Sequence, residues 1–262
     1  MQRYGRLYLA FAKNSFLNAL EYRLSFTVWS IATICYAVVY VSSIQIIFGH
    51  VQTIGGWRVE QMLVLAATVM IVDGIVESIF GENMNALSGL INRGELDFVL
   101  SKPVNTRFYV STRKFDWDPL VQVVIGGGVL WYAISLLAQP VTWFGALLYL
   151  GMVVCACLIA YSLWFIIISV TFFVGRLNNV GHLYYNLIEA SRVPTDVFRG
   201  ALRLGLTFVL PVAFIATVPS QALMGLLSPA FAFAAVAMTA GLLVISHLFW
   251  RLALTKYSSA SS

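Results

Sequence analysis

Two carboxylates inside an apolar stretch are the residues of this sequence best placed for chemistry. Asp73 and Glu77 lie four residues apart in a segment apolar enough to cross a membrane, so they share one face of a helix. A carboxylate in hydrocarbon is costly and needs a partner, water or a proton. The pair predicts either a proton or cation site, or a structural pairing with Arg23, Arg176 or Arg203 near the inner surface. The structural interpretation is favoured, because Glu77 falls close to the predicted boundary of the span.

Other reactive side chains occur in patterns that do not indicate catalysis. The sequence contains no G-x-x-x-x-G-K-[ST] motif, and so no phosphate cradle of the P-loop kind. Ser-His-Asp and Cys-His catalysis lack an intramembrane pairing. The histidines and cysteines show no metal-ligand spacing (His50, His182 and His247; Cys35, Cys155 and Cys157). We therefore predict no catalytic residue, no metal site, no bound cofactor and no enzymatic activity for the chain itself.

Composition identifies an integral membrane protein. Of the 262 residues 60% are hydrophobic and only 10% are charged, with a mean hydropathy of +0.85. Soluble domains carry about 25% charged residues. The length accommodates about six spans of about 20 residues with short connections, and no separate soluble catalytic domain. Nucleic-acid binding is not expected, because the basic residues are spread over many loops. Arg3, Arg6 and Lys13 interrupt any apolar core that a cleavable signal peptide would need.

The apolar segments predict an all-α membrane protein with six transmembrane helices in a single domain, 1–262. The predicted spans are 24–48, 62–80, 120–138, 143–174, 200–218 and 230–250. Residues 1–23 have helical periodicity but too much charge to span, which predicts an amphipathic helix on the membrane surface. Residues 175–199 are polar and predict a connection between the fourth and fifth spans. Pro211 lies inside the fifth predicted span, where it predicts a kink or a gate.

The distribution of Lys and Arg predicts the orientation. Fifteen of the sixteen cations fall in segments on one side of the predicted arrangement, and Arg58 alone falls on the other. The fourth-to-fifth connection contributes Arg176, Arg192, Arg199 and Arg203 to that majority. Because cytoplasmic loops carry the excess of Lys and Arg, we expect both termini in the cytoplasm.

Residues 81–118, between the second and third predicted spans, form the longest stretch that must lie in water. The pattern is helical up to Asn92, turns at Gly94 and stops at Pro103, which lacks a backbone donor. A second basic run with Arg107, Arg113 and Lys114 follows before the third span. A short amphipathic helix held between two membrane spans is typical of a docking element for a soluble partner.

Several stretches along the chain resemble one family of membrane proteins. These are Phe11-Ala12-Lys13-Asn14, Glu21-Tyr22-Arg23, Gly55-Gly56-Trp57, Val72-Asp73-Gly74, Arg93-Gly94-Glu95-Leu96-Asp97, Lys102-Pro103-Val104-Asn105, the run from Leu206 to Ile215, the run from Val218 to Leu223, and the tail from Tyr257 to Ser262. Together they resemble the permease subunits of ABC-2 type exporters, in the bacterial branch formerly classed as a domain of unknown function. The resemblance extends nearly from end to end.

The resemblance implies a permease that forms the substrate pathway and is powered by a separate ATPase. It implies six spans, an N-terminal interfacial helix, and a coupling helix between spans two and three that inserts into a groove of the ATPase. Two ATPases and two permeases, identical or paralogous, would form the complex in the bacterial cytoplasmic (inner) membrane. ATP and Mg²⁺ would be bound by the ATPase, and the membrane lipid would surround the permeases. The residues expected to transmit the coupling are Arg93, Gly94, Glu95, Leu96, Asp97, Lys102 and Pro103.

The direction of transport and the main alternatives also follow from the sequence. Importers carry an Glu-Ala-Ala docking loop with a downstream glycine, and Glu189-Ala190-Ser191 does not reproduce that spacing, which favours export. The first alternative is an ion-coupled secondary carrier that uses Asp73 and Glu77. The second is a membrane enzyme or assembly factor.

Overall fold

The computed structural model describes residues 2–21, 23–174 and 180–257. It is all-helical, with 80% of the residues in helices. Within the described ranges the extended pairing is limited to one isolated bridge between Ile54 and Trp57. The α-helices are α1 Gln2–Glu21, α2 Arg23–Phe48, α3 Val59–Val76, α4 Glu82–Asn92, α5 Asp97–Leu100, α6 Thr106–Thr112, α7 Leu120–Leu136, α8 Trp143–Ser169, α9 Thr171–Val174, α10 Val180–Ser191, α11 Gly200–Leu204, α12 Thr217–Leu223 and α13 Pro229–Lys256.

Four helices in the described part of the chain are long and apolar enough to cross a membrane. They are Leu24–Phe48, Val59–Ile91, Trp143–Phe173 and Pro229–Lys256, and a bent pair of shorter helices raises the number of candidate spans to five. Helix α7 is apolar but has only 17 residues. The prediction of an all-α membrane protein is confirmed at this level.

Helix α3 forms the centre of the bundle and packs most extensively against α7. Small residues allow the two helices to approach closely. A Cβ added to Gly74 would lie 2.9 Å from the carbonyl oxygen of Pro119, and one added to Gly126 would lie 3.0 Å from the Cβ of Met70. Residues Leu63 to Ala67 are fully buried on all sides, as expected of a helix surrounded by others.

Two ends of the bundle are distinguished by their loops. We call the end that carries α1 and residues 82–118 the proximal end, and the end that carries the loop between α2 and α3 the distal end. At the proximal end α1 packs along residues 108–117 through four edge-to-face aromatic pairs, with centroid separations of 4.9–6.5 Å. The pairs are Tyr4–Phe108, Tyr8–Phe115, Phe11–Tyr109 and Phe16–Trp117. This arrangement explains why one face of α1 is aromatic.

Residues 175–199 were predicted to be a connection at one end of the bundle, and that prediction is wrong for the second half of the segment. The Trp57 indole donates a 3.0 Å hydrogen bond to Asp196, so residue 196 lies at the distal end and not beside residues 81–118. The start of α10 lies at the other end, where Tyr185 accepts a 3.3 Å hydrogen bond from Asn85. Helix α10 therefore runs from the proximal towards the distal end. Its polar residues lower the hydropathy, which is why the sequence indicated a loop.

The predicted fifth span, 200–218, is not one continuous helix. The structure has two pieces, Gly200–Val209 and Val212–Leu223, bent by 64° at Pro211. Both pieces begin or end at the distal end, because Arg203 and Gln221 each contact Asp196, at 2.5 and 3.2 Å. The segment enters the bundle and returns to the same end, with Val212 to Ala216 buried at its turn. Pro211 thus separates two pieces instead of bending one span, since its nitrogen cannot donate to the preceding turn.

This change of path also corrects the count of cations. Arg199 and Arg203 lie at the distal end with Arg58, and Arg192 lies inside the bundle against the rings of Tyr36 and Tyr40. Three of the fifteen cations predicted on that side are therefore elsewhere, and eleven of the others lie within the described residues. Arg176, which was predicted among them, and the tail 258–262 lie outside the described residues. The bias towards the proximal end persists, but it is weaker than predicted.

Candidate functional site: the proximal tip and the polar interior

The helix that contains α3 continues without a break beyond the bundle at the proximal end. A π-helical turn, Glu77–Gly81, joins α3 to α4, and the combined helix Val59–Ile91 has 33 residues. Helix α4 then ends at a turn in which Gly94 has φ of 69°, a conformation that favours glycine. The short helices α5 and α6 follow. We call residues 93–102 the tip.

The predicted coupling residues divide into surface and packing groups. Arg93 and Glu95 form an exposed ion pair at 2.9 Å, and hydrogen bonds from Arg93 lower the pKa of the Glu95 carboxyl. Lys102 donates a 2.6 Å hydrogen bond to the hydroxyl of Tyr109. Leu96 is fully buried, so its contribution is to hold the tip in place.

The other predicted members of the set lie nearby: Gly94 forms the turn, Asp97 begins α5, and Pro103 follows it at the surface. Tyr257, just beyond α13, interacts with Leu96 and Asp97. The end of the last helix therefore supports the tip from behind. The structure brings the whole predicted set into one small region.

Phe98 is a tip residue that the sequence reading missed. Its side chain is 75% exposed, whereas Leu96 and Val99 on either side are buried. Helix α5 has only four residues, so its packed and exposed positions are set by the turn that precedes it. A hydrophobic residue in a water-exposed segment was visible in the sequence, but its outward direction was not.

The chain returning from the tip is fastened to α4 by buried and charged groups. Asn83 is 1% exposed and its amide donates to the carbonyl of Lys114 at 2.7 Å and accepts from its N–H at 3.0 Å. Glu82 and Lys114 form an ion pair above this contact. The N–H of Asp116 donates to the carbonyl of Ser78 at 2.8 Å. The tip thus lies at the end of an extension formed by two chain segments, α4 and the returning chain, which are hydrogen-bonded to each other.

Arg107 joins this extension to two further helices. Its guanidinium donates to the Ser246 hydroxyl of α13 at 2.6 Å and to the Tyr161 hydroxyl of α8 at 3.2 Å, and it lies 4.6 Å from the ring of Phe165. The Ser111 hydroxyl is 2.9 Å from the same Tyr161 hydroxyl. Movement of α6 would therefore act directly on α8 and α13.

The two acids predicted inside the span, Asp73 and Glu77, lie within the bundle. Each carboxylate has one buried oxygen without a hydrogen-bond partner in the described chain. Asp73 Oδ2 accepts a 3.0 Å hydrogen bond from Gln122. Asp73 Oδ1 and Glu77 Oε1 are buried and lack a hydrogen-bond partner within the described part of the chain. Of the predicted arginine partners, Arg203 binds Asp196 instead, so that pairing is wrong.

Glu77 is the first residue of the π-turn, and Gly81 makes room for it. A Cβ at Gly81 would collide with the Glu77 carboxylate and would lie 3.6 Å from Cη2 of Trp164. The carboxylate therefore lies beside the Trp164 ring. π-turns of this kind occur often at functional sites.

Helix α10 presents polar side chains to this region. Glu189 and Arg192 form an ion pair at 3.0 Å, and the Arg192 guanidinium lies 5.3 and 5.0 Å from the rings of Tyr36 and Tyr40. Tyr184 stacks on Trp164 with ring centroids 4.0 Å apart. The sequence reading missed α10 because it treated this stretch as a loop.

Known ligands of metal sites do not cluster in the described part of the chain. No group of three or more His, Cys, Asp or Glu side chains occurs there that could hold a metal ion. The three cysteines are free thiols. The polar interior is built instead from carboxylates, tyrosines, one tryptophan and one arginine.

Long apolar helices identify a multi-pass membrane protein. The model of the ABC-2 family transporter proteins matches residues 21–261, and the chain belongs to this family. Members of the family are membrane components of ABC transporters, which implies ABC ATPase partners in general. No curated protein and no solved structure matches the chain. The predicted family is therefore confirmed.

Proposed function

We propose that the chain is the transmembrane permease subunit of an ABC exporter and that residues 81–118 dock on a separate ATPase. The observation that carries this proposal is the unbroken helix Val59–Ile91, which leads from the centre of the bundle to the exposed tip. A force applied at the tip acts through this helix on the interior of the bundle. Coupling of this kind requires two positions of the helix, each favoured by one nucleotide state of the ATPase.

The docking surface combines one apolar anchor with charges around it. Phe98 is 75% exposed, and the Arg93–Glu95 pair lies at the surface of the same tip. Binding interfaces concentrate their energy in aromatic anchors that fill a pocket on the partner. We assign Phe98 to that role, with Arg93, Glu95, Asp97 and Lys102 fixing the orientation.

The proposal includes the arrangement in the membrane. Six crossings by α2, α3, α7, α8, α10 and α13 place both termini at the proximal end, in the cytoplasm of a bacterium with the protein in its inner membrane. Segment 200–223 then re-enters from the outer side and does not cross. Two permeases, identical or paralogous, and two ATPases form the complex, and the ATPases bind ATP and Mg²⁺.

The proposal is tested by recovering the ATPase with the tagged permease. Phe98→Glu is expected to reduce the amount of co-purified ABC ATPase by about tenfold or more, since losing an interface anchor costs about 2 kcal/mol or more. Phe233→Ala is the matched control, because Phe233 is 79% exposed but lies on the apolar helix α13. Charge reversal at Glu95 or Asp97 is expected to separate ATP hydrolysis from transport. Undiminished recovery with Phe98→Glu would contradict the docking assignment.

A second candidate, an ion-coupled carrier, is favoured by the two unpartnered carboxylate oxygens of Asp73 and Glu77. The two functions differ in their energy source. Transport that stops with a protonophore and continues without the ATPase supports the carrier, and the reverse supports the exporter.

A further inference from the structure

We infer that the interior site between α3, α8 and α10 binds a protonated organic amine. The inference deepens the proposed function, because the amine would be the transported molecule or a part of it. It depends on the atoms around Asp73 and Glu77 that have no partner, and on the aromatic side chains that enclose them.

The first step concerns the negative charge of the site. Asp73 and Glu77 each have one buried oxygen without a hydrogen-bond partner in the described chain. The basic group that interacts electrostatically with Asp73 is Arg192, which forms an ion pair with Glu189 at 3.0 Å and has two buried nitrogens without a hydrogen-bond partner in the described chain. In the described interior the carboxylates of Asp73, Glu77 and Glu189 outnumber this guanidinium, so a bound cation would balance the charge of the ionised site. A buried carboxylate without a partner is costly, and a bound cation would remove that cost.

The second step concerns two fully buried aromatic residues that also lack partners. Tyr184 is 1% exposed and Trp164 is 0% exposed, and neither the Tyr184 hydroxyl nor the Trp164 indole N–H has a partner among the described residues. Tyr184 interacts electrostatically with both Asp73 and Glu77, and the Trp164 ring lies beside the Glu77 carboxylate at Gly81. These two groups add unsatisfied polar atoms to the same part of the bundle interior.

The third step concerns which molecule satisfies all of these groups. Two carboxylate oxygens and a tyrosine oxygen accept hydrogen bonds from an ammonium group, which offers up to three N–H donors. The indole N–H requires an acceptor, which an oxygen of the ligand or a water supplies. Aromatic side chains beside carboxylates are also the surroundings in which proteins recognise organic ammonium ions. A metal ion is a poorer fit, because no set of three metal ligands occurs within the described ranges.

The fourth step concerns access. Tyr185 accepts a 3.3 Å hydrogen bond from Asn85, interacts electrostatically with Glu77 and is 37% exposed. The Glu189 side chain, one helical turn further along α10, is 60% exposed. A polar face of this kind does not fit against lipid tails, so it borders water or a protein at that depth. Tyr185 thus separates the interior acids from an open polar face.

The test uses an amine and its neutral counterpart. The full-length chain in lipid nanodiscs is titrated with dansylcadaverine, a fluorescent primary amine, and with its N-acetylated form, which has the same shape without the charge. Empty nanodiscs correct for partition into lipid. Saturable binding of the amine is expected, at least about tenfold tighter than binding of the acetylated form.

Variants locate the site. Glu77→Gln and Asp73→Asn keep the side-chain shape and are each expected to weaken amine binding about tenfold or more, since each removes one partner of a buried charge. Glu60→Gln, near the distal surface, is the matched control and is expected to bind as the wild type does. Equal binding of the two probes by the wild type, or unchanged binding by both interior variants, would overturn the inference. The ATPase recovery assay on the same variants separates this result from the docking proposal, because loss of the amine site leaves the tip intact.

Discussion

Asp196 joins three separate parts of the distal end, and its replacement by alanine is the sharpest test of the path described for α10 and the segment after it. One carboxylate oxygen accepts from Trp57 at 3.0 Å and from Gln221 at 3.2 Å, and the other accepts from Arg203 at 2.5 Å. The sequence placed residue 196 at the opposite end of the molecule from Trp57. A measurable interaction between the two residues therefore decides between the two arrangements.

The expected loss of stability follows from these contacts. The carboxylate is 22% exposed, so each hydrogen bond from Trp57 and Gln221 is taken at the lower end of the range for charged acceptors, about 1.5 kcal/mol. Arg203 is 50% exposed, and its ion pair is discounted for solvent screening to less than about 1 kcal/mol. Asp196→Ala should therefore cost about 3 kcal/mol in total. For a chain of this length that corresponds to a decrease of about 6–12 °C in Tm.

The assay can use the native thiols. All three cysteines are free and two of them are half-buried, so a thiol-reactive fluorescent dye reports unfolding on heating. Trp57→Phe removes one of the three bonds and should cost about 1.5 kcal/mol, and the double variant should be less destabilised than the sum of the single ones. A Tm for Asp196→Ala within about 1 °C of the wild type, or strict additivity with Trp57→Phe, would refute the described arrangement of the distal end.

Two further predictions concern helix packing and coupling. Gly126→Ala should destabilise the fold by about 1–3 kcal/mol, because its Cβ would lie 3.0 Å from side chains of α3, whereas Gly127→Ala, with open space around it, should be neutral within about 0.5 kcal/mol in the same thermal assay. Arg107→Ala should reduce the movement of α13 that follows vanadate trapping of the complex, measured by the distance between spin labels on α6 and α13. Arg107→Lys should restore it in part, and an unchanged distance distribution in Arg107→Ala would remove Arg107 from the coupling route.

The class of the protein and its most apolar helices could be predicted from the sequence because hydropathy and length decide them directly. A 25-residue run such as Leu24–Phe48 has one stable arrangement in a membrane. The turn at Gly94 was also predictable, because a positive φ strongly favours glycine. The family assignment rested on stretches spread along the chain and is confirmed by the match to residues 21–261.

The path of the chain after α9 could not be predicted in the same way. Helix α10 carries His182, Tyr185 and Glu189 and is followed directly by Arg192, and a hydropathy scale cannot distinguish a polar loop from a helix that keeps its polar residues among other helices. The apolar residues around Pro211 gave the opposite error. They are apolar because they are buried at the turn of a segment that returns to the end of the bundle where it began. Such a segment has the same composition as a membrane span.

Only the acidic residues of the candidate site could be predicted from the sequence. Asp73 and Glu77 were evident from charge in an apolar run, but Trp164 and Tyr184 looked like ordinary residues of apolar or amphipathic segments. Their significance depends on a lack of hydrogen-bond partners, which is a property of the folded chain alone. Phe98 is similar, since its exposure follows from how Leu96 and Val99 are packed.

The continuous helix from Val59 to Ile91 has a mechanical consequence. With 33 residues it is about 50 Å long, and it passes the level of both interior carboxylates on its way to the tip. In the proposed mechanism, a rotation or tilt imposed at the tip would reach the acidic pair through the π-helical turn Glu77–Gly81, which contains one of the two acids. The nucleotide state of the ATPase and the affinity of the interior site for a cation would then be linked through this one helix.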